Sequence, residues 1–497
     1  MDGILVLDIG SSSTRALVFD ERANLIPGLL TRRSGQFRVM VDGTSEDDAL
    51  QVYERVVGCI DEMQQLVTNR GITLRAAGIS SYACSLVCLD KRGEPLTPVY
   101  TYADTRSASD ARILRSVVDE LQELQRTGCR IRANYVPPRI EWLHRIRPDL
   151  TMRTSQYASL SDYLALRLFG TERGGLSIWS WSGLINRTTH DWDDTWLTRL
   201  GITTEQLPAL AHPNEWLGTL RPEFERRWPM LKSVPFLPAF GDGAVANIGS
   251  GCTDPQSVAV TIGTTAALRV VRSSQQSSLD VAGGEVLPLP QGLWCYQVDH
   301  ARELIGGATT EGGNVFAWLR QTCKVPEPDE LERAMALLPP DAQGIAVLPF
   351  FAGERSPGYS EHSRATIHGL TFDATPIVLA RACLEAVAYR LGEVYSELKA
   401  MAEPGAMLIA SGGALLASPT WCQIVADVMD TTLRVCEEPE ATARGVALLV
   451  LEKIGDISSV ADLPARIGVT YQPDPQRHSA YLAAMSRQQH LYAQLMK

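Results

Sequence analysis

Near the N-terminus, a short turn carries the residue types that bind phosphate. An apolar stretch ends in Asp8 and is followed by a glycine and a run of hydroxyl side chains: Gly10, Ser11, Ser12, Ser13 and Thr14. Consecutive backbone N–H groups in such turns form concavities that bind anions. Asp8 would repel a bare phosphate, so its place here makes sense if it holds Mg²⁺, often through water. Arg15 could add positive charge. The pattern predicts a phosphate-binding turn with a metal carboxylate; a polar hairpin turn capped by Asp8 is the alternative.

A second turn of the same kind lies in the other half of the chain. Segment 262–271 can be laid over segment 9–18, which places Gly263 and Thr264 in the turn, and no carboxylate stands where the first copy has Asp8. Because β-hairpins are common, chance is one explanation. The other is a duplicated fold whose halves face each other across a cleft, and the asymmetry would suit one bound nucleotide with its Mg²⁺.

Asp242 stands between two glycines and precedes small residues that predict the start of a helix. A helix N-cap or a turn is an ordinary role for such an aspartate, and the local residues by themselves favour it. The functional interpretation is a general base. Phosphoryl transfer needs an in-line acceptor hydroxyl, a carboxylate that takes its proton, and neutralisation of phosphate charge. The flanking glycines would leave room for a sugar against the backbone.

Two further patterns could bind ligands. Asp104 and Arg106 would share a face on a strand or converge in a loop, and such a pair suits a polyol or a sugar acid. A surface salt bridge explains the pair equally well. Gly412 and Gly413 follow an apolar strand and precede a helical segment with Pro419 in its first turn. A strand–Gly-Gly–helix junction is a usual place for a nucleotide, although the signal is weak in isolation.

Alternating strand and helix patterns predict the elements that hold these residues. The N-terminus is strand–turn–strand, residues 46–68 carry apolar positions at helical spacing, and residues 76–90 return to strand character. The class is therefore α/β. A chain of 497 residues suggests two domains, and the boundary near 245–255 divides it into domains 1–248 and 249–497. The tail after about 455 predicts a packed helix, and an interface such as that of a homodimer is left open.

Composition limits the partners. The chain is 45% hydrophobic and 21% charged with a formal net charge of -11, which argues against a nucleic acid or an anionic membrane as partner. Its ten cysteines form no CxxC pair and no zinc-binding spacing, as expected of reduced thiols in the cytosol. No leader and no apolar run long enough to cross a bilayer is evident, so we expect a cytoplasmic protein.

Taken together, these segments resemble the FGGY carbohydrate kinases over nearly the whole chain, to about residue 455. They occur in the family's order: LDIGSSSTRALVFD (7–20), YADTRS (102–107), GDGAVANIGSGC (241–252), TIGTTAALRV (261–270), GGATTEGGNVFAWLR (306–320), LPFFAGERSPGY (348–359), SGGALLASPTWCQIVADVM (411–429) and ATARGVALL (441–449). FAGERSP together with the downstream SGGALLASPTW is highly specific.

The resemblance implies two actin-like (ribonuclease H-like) domains, each with a mixed five-stranded sheet, flanking a catalytic cleft that closes on ATP and a sugar. It implies that Asp242 is the general base, which overturns the cap interpretation, and that Asp8 serves Mg²⁺. Asp104 and Arg106 match a substrate-side motif. The positions that it assigns to ATP are Gly10, Ser11, Ser12, Ser13, Arg15, Gly263, Thr264, Gly313, Gly412 and Gly413.

The acceptor is less well determined. Ala83 and Cys84 fall where relatives contact the sugar, often with a polar or histidine side chain, so the substrate cannot simply be carried over. Segments 306–320 and 41–50 look more like those of gluconate kinases, and the resemblance favours gluconate, with Arg106 as the predicted contact of the acid. Xylulose or another pentulose or polyol is the alternative. An actin-like ATPase switch or chaperone is disfavoured by Asp242 and the Asp104/Arg106 pair, because a switch needs no sugar-side base. A non-catalytic sugar sensor is disfavoured because Asp8 and Asp242 are both present.

Overall fold

The protein is described by a computed structural model that covers residues 1–212, 215–274 and 288–496. In the first half, the strands are β1 (Asp2–Ile9), β2 (Ser13–Phe19), β3 (Leu25–Ser34), β4 (Arg38–Val39), β5 (Ser45–Asp47), β6 (Thr73–Ser81), β7 (Val87–Leu89), β8 (Val99–Tyr100), β9 (Gln156–Ala158), β10 (Arg173–Gly174), β11 (Ile185–Asn186), β12 (Asp191–Trp192), β13 (Ala209–Leu210) and β14 (Phe240–Gly241). The helices are α1 (Ala49–Arg70), α2 (Ala108–Val117), α3 (Glu120–Thr127), α4 (Val136–Ile146), α5 (Pro148–Thr151), α6 (Leu160–Phe169), α7 (Leu176–Ser180), α8 (Asp194–Leu200), α9 (Pro222–Arg227) and α10 (Asp242–Gly249).

The second half repeats the mixture of strands and helices. Its strands are β15 (Ser257–Ile262), β16 (Ala266–Ser273), β17 (Trp294–Gln297), β18 (Arg302–Thr309), β19 (Ala346–Leu348), β20 (Thr366–His368), β21 (Met407–Ser411), β22 (Leu433–Cys436) and β23 (Ile467–Tyr471). Its helices are α11 (Gly313–Thr322), α12 (Pro328–Ala336), α13 (Pro376–Leu398), α14 (Gly413–Leu416), α15 (Pro419–Met429), α16 (Ala441–Ile454) and α17 (Pro475–Leu495). Short 3-10 helices occur at Thr204–Gln206, Pro229–Leu231, Ala342–Gly344, Lys399–Met401 and Val460–Asp462.

Two mixed sheets organise these elements. The first has the order β14-β6-β1-β2-β3 and the second the order β17-β18-β16-β15-β21-β22-β23. The central five strands of the second sheet repeat the first sheet in order and direction: an antiparallel hairpin extended by one antiparallel strand on one side and two parallel strands on the other. The predicted α/β class with mixed sheets is thus confirmed.

Within the described residues, the first sheet has the five strands that were predicted, whereas the second sheet has seven. The additional strands β17 and β23 pair with its two edges, β18 and β22. Strand β23 comes from the tail after residue 455, so part of that tail covers an edge that would otherwise expose unpaired backbone groups. The rest of the tail is the packed helix α17, in which Tyr481 is buried and Gln488 donates to the backbone oxygen of Val347 at 2.7 Å.

Helix α1 shows how sequence sets an element's bounds. It begins at residue 49 and not at 46, because Ser45–Asp47 forms strand β5 and the Asp48 side chain accepts hydrogen bonds from the N–H groups of Leu50 and Gln51. Gly71, with φ of 61°, ends it. The predicted strand 76–90 is likewise two strands, β6 and β7.

Helices α10 and α16 pack closely between the two sheets. A Cβ atom on Gly249 would lie 1.7 Å from the backbone oxygen of Ala441, and one on Gly445 would lie 1.9 Å from that of Val245. Side chains of both helices share one apolar cluster with Val6 of β1 and Val271 of β16. The contact fixes where α10 begins, and Asp242 is its first residue. Of the helices in the described residues, none combines the length and apolar character needed to span a membrane.

Candidate active site

The N-terminal turn joins β1 to β2 as predicted. The N–H of Gly10 donates to the backbone oxygen of Ser13 at 3.0 Å, which closes the turn, and Ser11 and Ser12 remain accessible to solvent. Asp8, two residues before the turn, is buried with 2% of its surface exposed. The turn therefore presents hydroxyl and N–H groups at the surface above a buried carboxylate.

The second turn is one residue shorter than the first. Thr261 pairs with Ala267 across the hairpin, whereas Asp8 pairs with Arg15. The sequence overlay is therefore correct in the turn but shifts by one position after it, so Ala267 is the structural counterpart of Arg15. Thr264 is exposed in this turn.

Four of the five glycines that were predicted to bind ATP, all except Gly10, come together around this second turn. The N–H of Gly313 donates to the oxygen of Gly263 at 2.7 Å, which places the start of α11 against the turn. Gly412 has a φ of 92°, and a Cβ atom there would lie 2.5 Å from the backbone oxygen of Ile262, so the strand–helix junction needs glycine. Gly413 begins α14 and is exposed. These residues, about 250 to 400 positions from the first turn in sequence, form a second polar surface.

Arg15 joins the two halves of the chain. Its guanidinium is hydrogen-bonded to Asp8 and to Glu440, the residue before α16. Burial raises the pKa of Asp8, and the charge and hydrogen bonds of Arg15 oppose that increase. Sequence analysis did not identify Glu440, because only the fold places it beside residues more than 400 positions away.

The donor set at Asp8 fits a Mg²⁺ ion that arrives with a nucleotide. Mg²⁺ prefers oxygen ligands and commonly takes one or two carboxylates, with phosphates and water completing its shell. Asp8 and Glu440 supply carboxylates on the two sides of Arg15. In the described part of the chain no cluster of three or more metal-binding side chains is present.

Asp242 lies at the junction of β14 and α10. Strand β14 pairs with the end of β6, which itself runs beside β1, so Asp242 and Asp8 come from neighbouring parts of one sheet. The N–H of Gly243 donates to Asp242 Oδ1 at 2.7 Å. Burial raises the pKa of Asp242 to about 6; Asp8 adds to the increase, and the Gly243 hydrogen bond and Arg269 oppose it. A carboxylate with this pKa is ionised at neutral pH and is a stronger base than a solvated aspartate.

Trp181 covers the glycines on both sides of Asp242. A Cβ atom would lie 2.8 Å from Trp181 Nε1 if added to Gly241, and 2.9 Å from the Trp181 ring if added to Gly243. The ring stacks on Tyr296 with centroids 3.9 Å apart and an interplanar angle of 21°. Sequence analysis missed this aromatic stack, because its members are more than 100 residues apart, Trp181 after helix α7 and Tyr296 in strand β17.

Cys84 and Ala83 lie beside that stack. Cys84 Sγ donates to the backbone oxygen of Trp181 at 3.0 Å, and Arg139 Nη1 donates to the oxygen of Cys84 at 2.6 Å. Burial raises the pKa of Cys84 to about 11, so the thiol is neutral. Cys84, which follows Ala83 in the chain, is thus close enough to Asp242 to interact with its charge. Their contact with a sugar stays a prediction.

Asp104 and Arg106 form an internal ion-pair network. Arg106 Nη2 donates to Asp104 at 2.6 Å and to Glu46 at 2.7 Å, and its guanidinium lies over the rings of Tyr100 and Trp142. Asp104 is 2% exposed and also accepts from the N–H of Ser45. The charge of Arg106 is therefore already balanced by two carboxylates, and its predicted contact with an acid substrate stays untested.

Comparison with known proteins gives a consistent result over nearly the whole chain. Residues 3–249 match the N-terminal domain model of the FGGY family of carbohydrate kinases, and residues 258–451 match the C-terminal domain model. A gluconokinase from Bacillus subtilis is 26% identical, with 96% of this chain and 92% of the relative covered. A xylulose kinase from Escherichia coli is 23% identical over 99% and 98% of the two chains.

Solved structures show the same fold. A ligand-bound xylulose kinase from Lactobacillus acidophilus superposes with a TM-score of 0.92 at 21% identity, covering 100% of this chain and 99% of the other.

Proposed function

Because the chain belongs to the FGGY family of carbohydrate kinases, we propose that it transfers the γ-phosphoryl group of Mg-ATP to a hydroxyl group of gluconate. Phosphotransfer to an alcohol group of a carbohydrate follows from the family. The choice of gluconate is supported by the gluconokinase relative that aligns over 96% of the chain. The observation that carries the mechanism is Asp242, a half-buried carboxylate whose charge interacts with that of the candidate metal carboxylate Asp8.

In this proposal Asp242 is the general base. The acceptor O–H gives its proton to the Asp242 carboxylate, the oxygen attacks the γ-phosphorus, and the bond from phosphorus to the leaving oxygen of ADP breaks. The pKa of about 6 leaves Asp242 ionised at pH 7 and ready to accept the proton. Trp181, which covers the flanking glycines, limits access of water to that carboxylate.

The two turns bind the nucleotide from opposite sides. Gly10, Ser11, Ser12 and Ser13 supply donors from the first sheet. The second sheet supplies its donors through the exposed Thr264 and the glycines near it, Gly263, Gly313, Gly412 and Gly413. Bound through Asp8, Mg²⁺ would neutralise phosphate charge. Arg15, which holds Asp8 and Glu440 together, would do the same with its guanidinium.

A pentulose such as xylulose is the second candidate acceptor. The xylulose kinase relative aligns over 99% of this chain, and its identity of 23% is close to that of the gluconokinase. Ala83 and Cys84, small and neutral beside Trp181, do not distinguish the two acceptors by charge.

The experiment is a measurement of ADP release from Mg-ATP with gluconate, xylulose, ribulose, glycerol and fuculose, each compared with ATP alone. Gluconate should give the highest kcat/KM, and Asp242→Asn should lower it by about 100- to 10,000-fold, the usual contribution of a general base. The kinase mechanism fails if no compound stimulates turnover and Asp242→Asn leaves basal ATP hydrolysis unchanged. A preference for xylulose would refute the assignment of gluconate and leave the mechanism intact.

A further inference from the structure

Arg269 presents a guanidinium to the face of the second sheet that packs against α10. Its neighbours on β16, Leu268 and Val270, point into the core of the second half of the chain. Val271, on the same face as Arg269, belongs instead to the cluster shared with α10. The alternation of side chains along a strand therefore directs Arg269 toward the first residues of α10, Asp242 and Gly243.

The surroundings of Arg269 confirm this direction. A Cβ atom on Gly243 would lie 3.9 Å from Arg269 Nε, so the guanidinium lies close to that glycine. Arg269 Nη1 makes one long contact, 3.4 Å, to Thr261 Oγ1. Its Nε is buried and has no hydrogen-bond partner among the described residues.

The positive charge of Arg269 is balanced differently from the charges of Arg15 and Arg106. Arg15 is paired with two carboxylates, and so is Arg106. Arg269 has no carboxylate in ion-pair contact within the described residues, and Asp242 acts on it only as a neighbouring charge. Removing an ionised guanidinium from water is costly unless an anion offsets the cost. The missing anion is therefore expected to come from a ligand.

Two anionic groups could reach this position, a phosphate of the nucleotide or an acidic group of the acceptor. The guanidinium beside the candidate metal carboxylate Asp8 is that of Arg15. Arg269 instead lies near Gly243, as does the ring of Trp181. Tyr296, which stacks on that ring, also interacts electrostatically with Arg269. Aromatic side chains with a few well-placed polar groups are typical of pockets for organic ligands. This environment favours the acceptor.

We propose that Arg269 binds the carboxylate of a sugar-acid acceptor through its planar pair of N–H donors, while Asp242 faces the reacting hydroxyl of the same molecule. The proposal rests on the proposed kinase function and names the residue that selects an acid. It assigns to Arg269 the role that the sequence gave to Arg106, whose charge Asp104 and Glu46 already balance.

The test compares gluconate with gluconamide, its uncharged analogue, in wild type and in Arg269→Gln. In the wild type kcat/KM should favour gluconate. In Arg269→Gln the value for gluconate should fall on the order of 100-fold, the scale of a lost buried charge pair, while that for gluconamide changes by less than about 3-fold. Arg269→Lys keeps the positive charge but lacks the paired N–H donors of the guanidinium. Its kcat/KM for gluconate should therefore lie between the values of the wild type and Arg269→Gln. Arg22→Gln, in the exposed turn after β2, is the control for an arginine substitution.

Each other outcome has a distinct meaning. An equal loss with gluconate and gluconamide, or a raised KM for ATP in Arg269→Gln, would overturn the proposal, since Arg269 would then act on Asp242 or on the nucleotide. If wild type accepts a different sugar acid in an Arg269-dependent way, the gluconate assignment fails and this inference stands. If wild type prefers gluconate and Arg269→Gln keeps that preference, only this inference fails. If neutral sugars alone are phosphorylated, both fail.

Discussion

Replacing Asp242 by asparagine should remove catalysis and at the same time stabilise the protein at alkaline pH. Asparagine keeps the size of the side chain and an oxygen that can accept the 2.7 Å hydrogen bond from Gly243, but it cannot ionise. The carboxylate of the wild type is held in its charged form at neutral pH although burial opposes that form. The variant avoids this cost.

The size of the effect follows from the pKa. The Asp242 pKa is about 6 in the folded protein and 3.8 when unperturbed, a difference of about 2 units or about 3 kcal/mol as an upper limit. Because Asp242 is partly exposed, we expect the variant to exceed the wild type in free energy of unfolding by about 1–3 kcal/mol. The folded pKa is raised, so the folded state binds the proton more tightly. The wild type is therefore penalised fully above pH 6, and the penalty disappears as pH falls toward 3.8.

The measurement is the melting temperature of the nucleotide-free protein, wild type against Asp242→Asn, between pH 4.5 and 8.5. The difference should increase with pH up to about 6 and stay constant above it, at a few degrees in favour of the variant. Carboxylates that do not interact with Asp242 titrate equally in both proteins and cancel in the difference, whereas Asp8 loses a neighbouring charge in the variant. A difference that does not vary with pH, or a variant that is less stable at pH 8, would refute the argument that burial sets this pKa.

Three further outcomes are expected. In wild type, kcat/KM for the acceptor should rise with pH and level off above about 6, because Asp242 must be deprotonated to act as base; a rate already constant between pH 5 and 7 would contradict this. Arg15→Met should weaken Mg-ATP binding by about 10-fold or more in calorimetric titration, since it leaves two carboxylates without their shared cation; unchanged affinity would exclude its role. Gly412→Ala should lower the melting temperature, because its Cβ would meet Ile262, whereas Gly413→Ala has open space and should fold normally while losing ATP affinity; equal stability of the two variants would argue against the strained junction.

Local elements were predictable because short-range interactions determine them. The strand–turn–strand at the N-terminus, the helix starting at Asp242 and the strand–Gly-Gly–helix junction at 407–429 all appear in the structure. Each depends on turn chemistry, capping or apolar period within a few residues. The number of strands in the second sheet was not predictable, since β17 and β23 join it by pairing with strands whose edges only the folded sheet exposes.

The amino-acid sequence by itself determined the two hydroxyl-rich turns, the glycines around the second turn and the aspartates Asp8 and Asp242, because residue type and near neighbours specify those features. Only the tertiary structure decided which charges are balanced. Arg106 is neutralised internally, and Arg15 meets Glu440 from 425 positions away. Arg269 faces Asp242 and has no ion-paired carboxylate in the part of the chain that the structure describes. Burial and pairing are properties of groups brought together by packing, so the sequence identifies the charged residues, but only the fold shows which of them are paired.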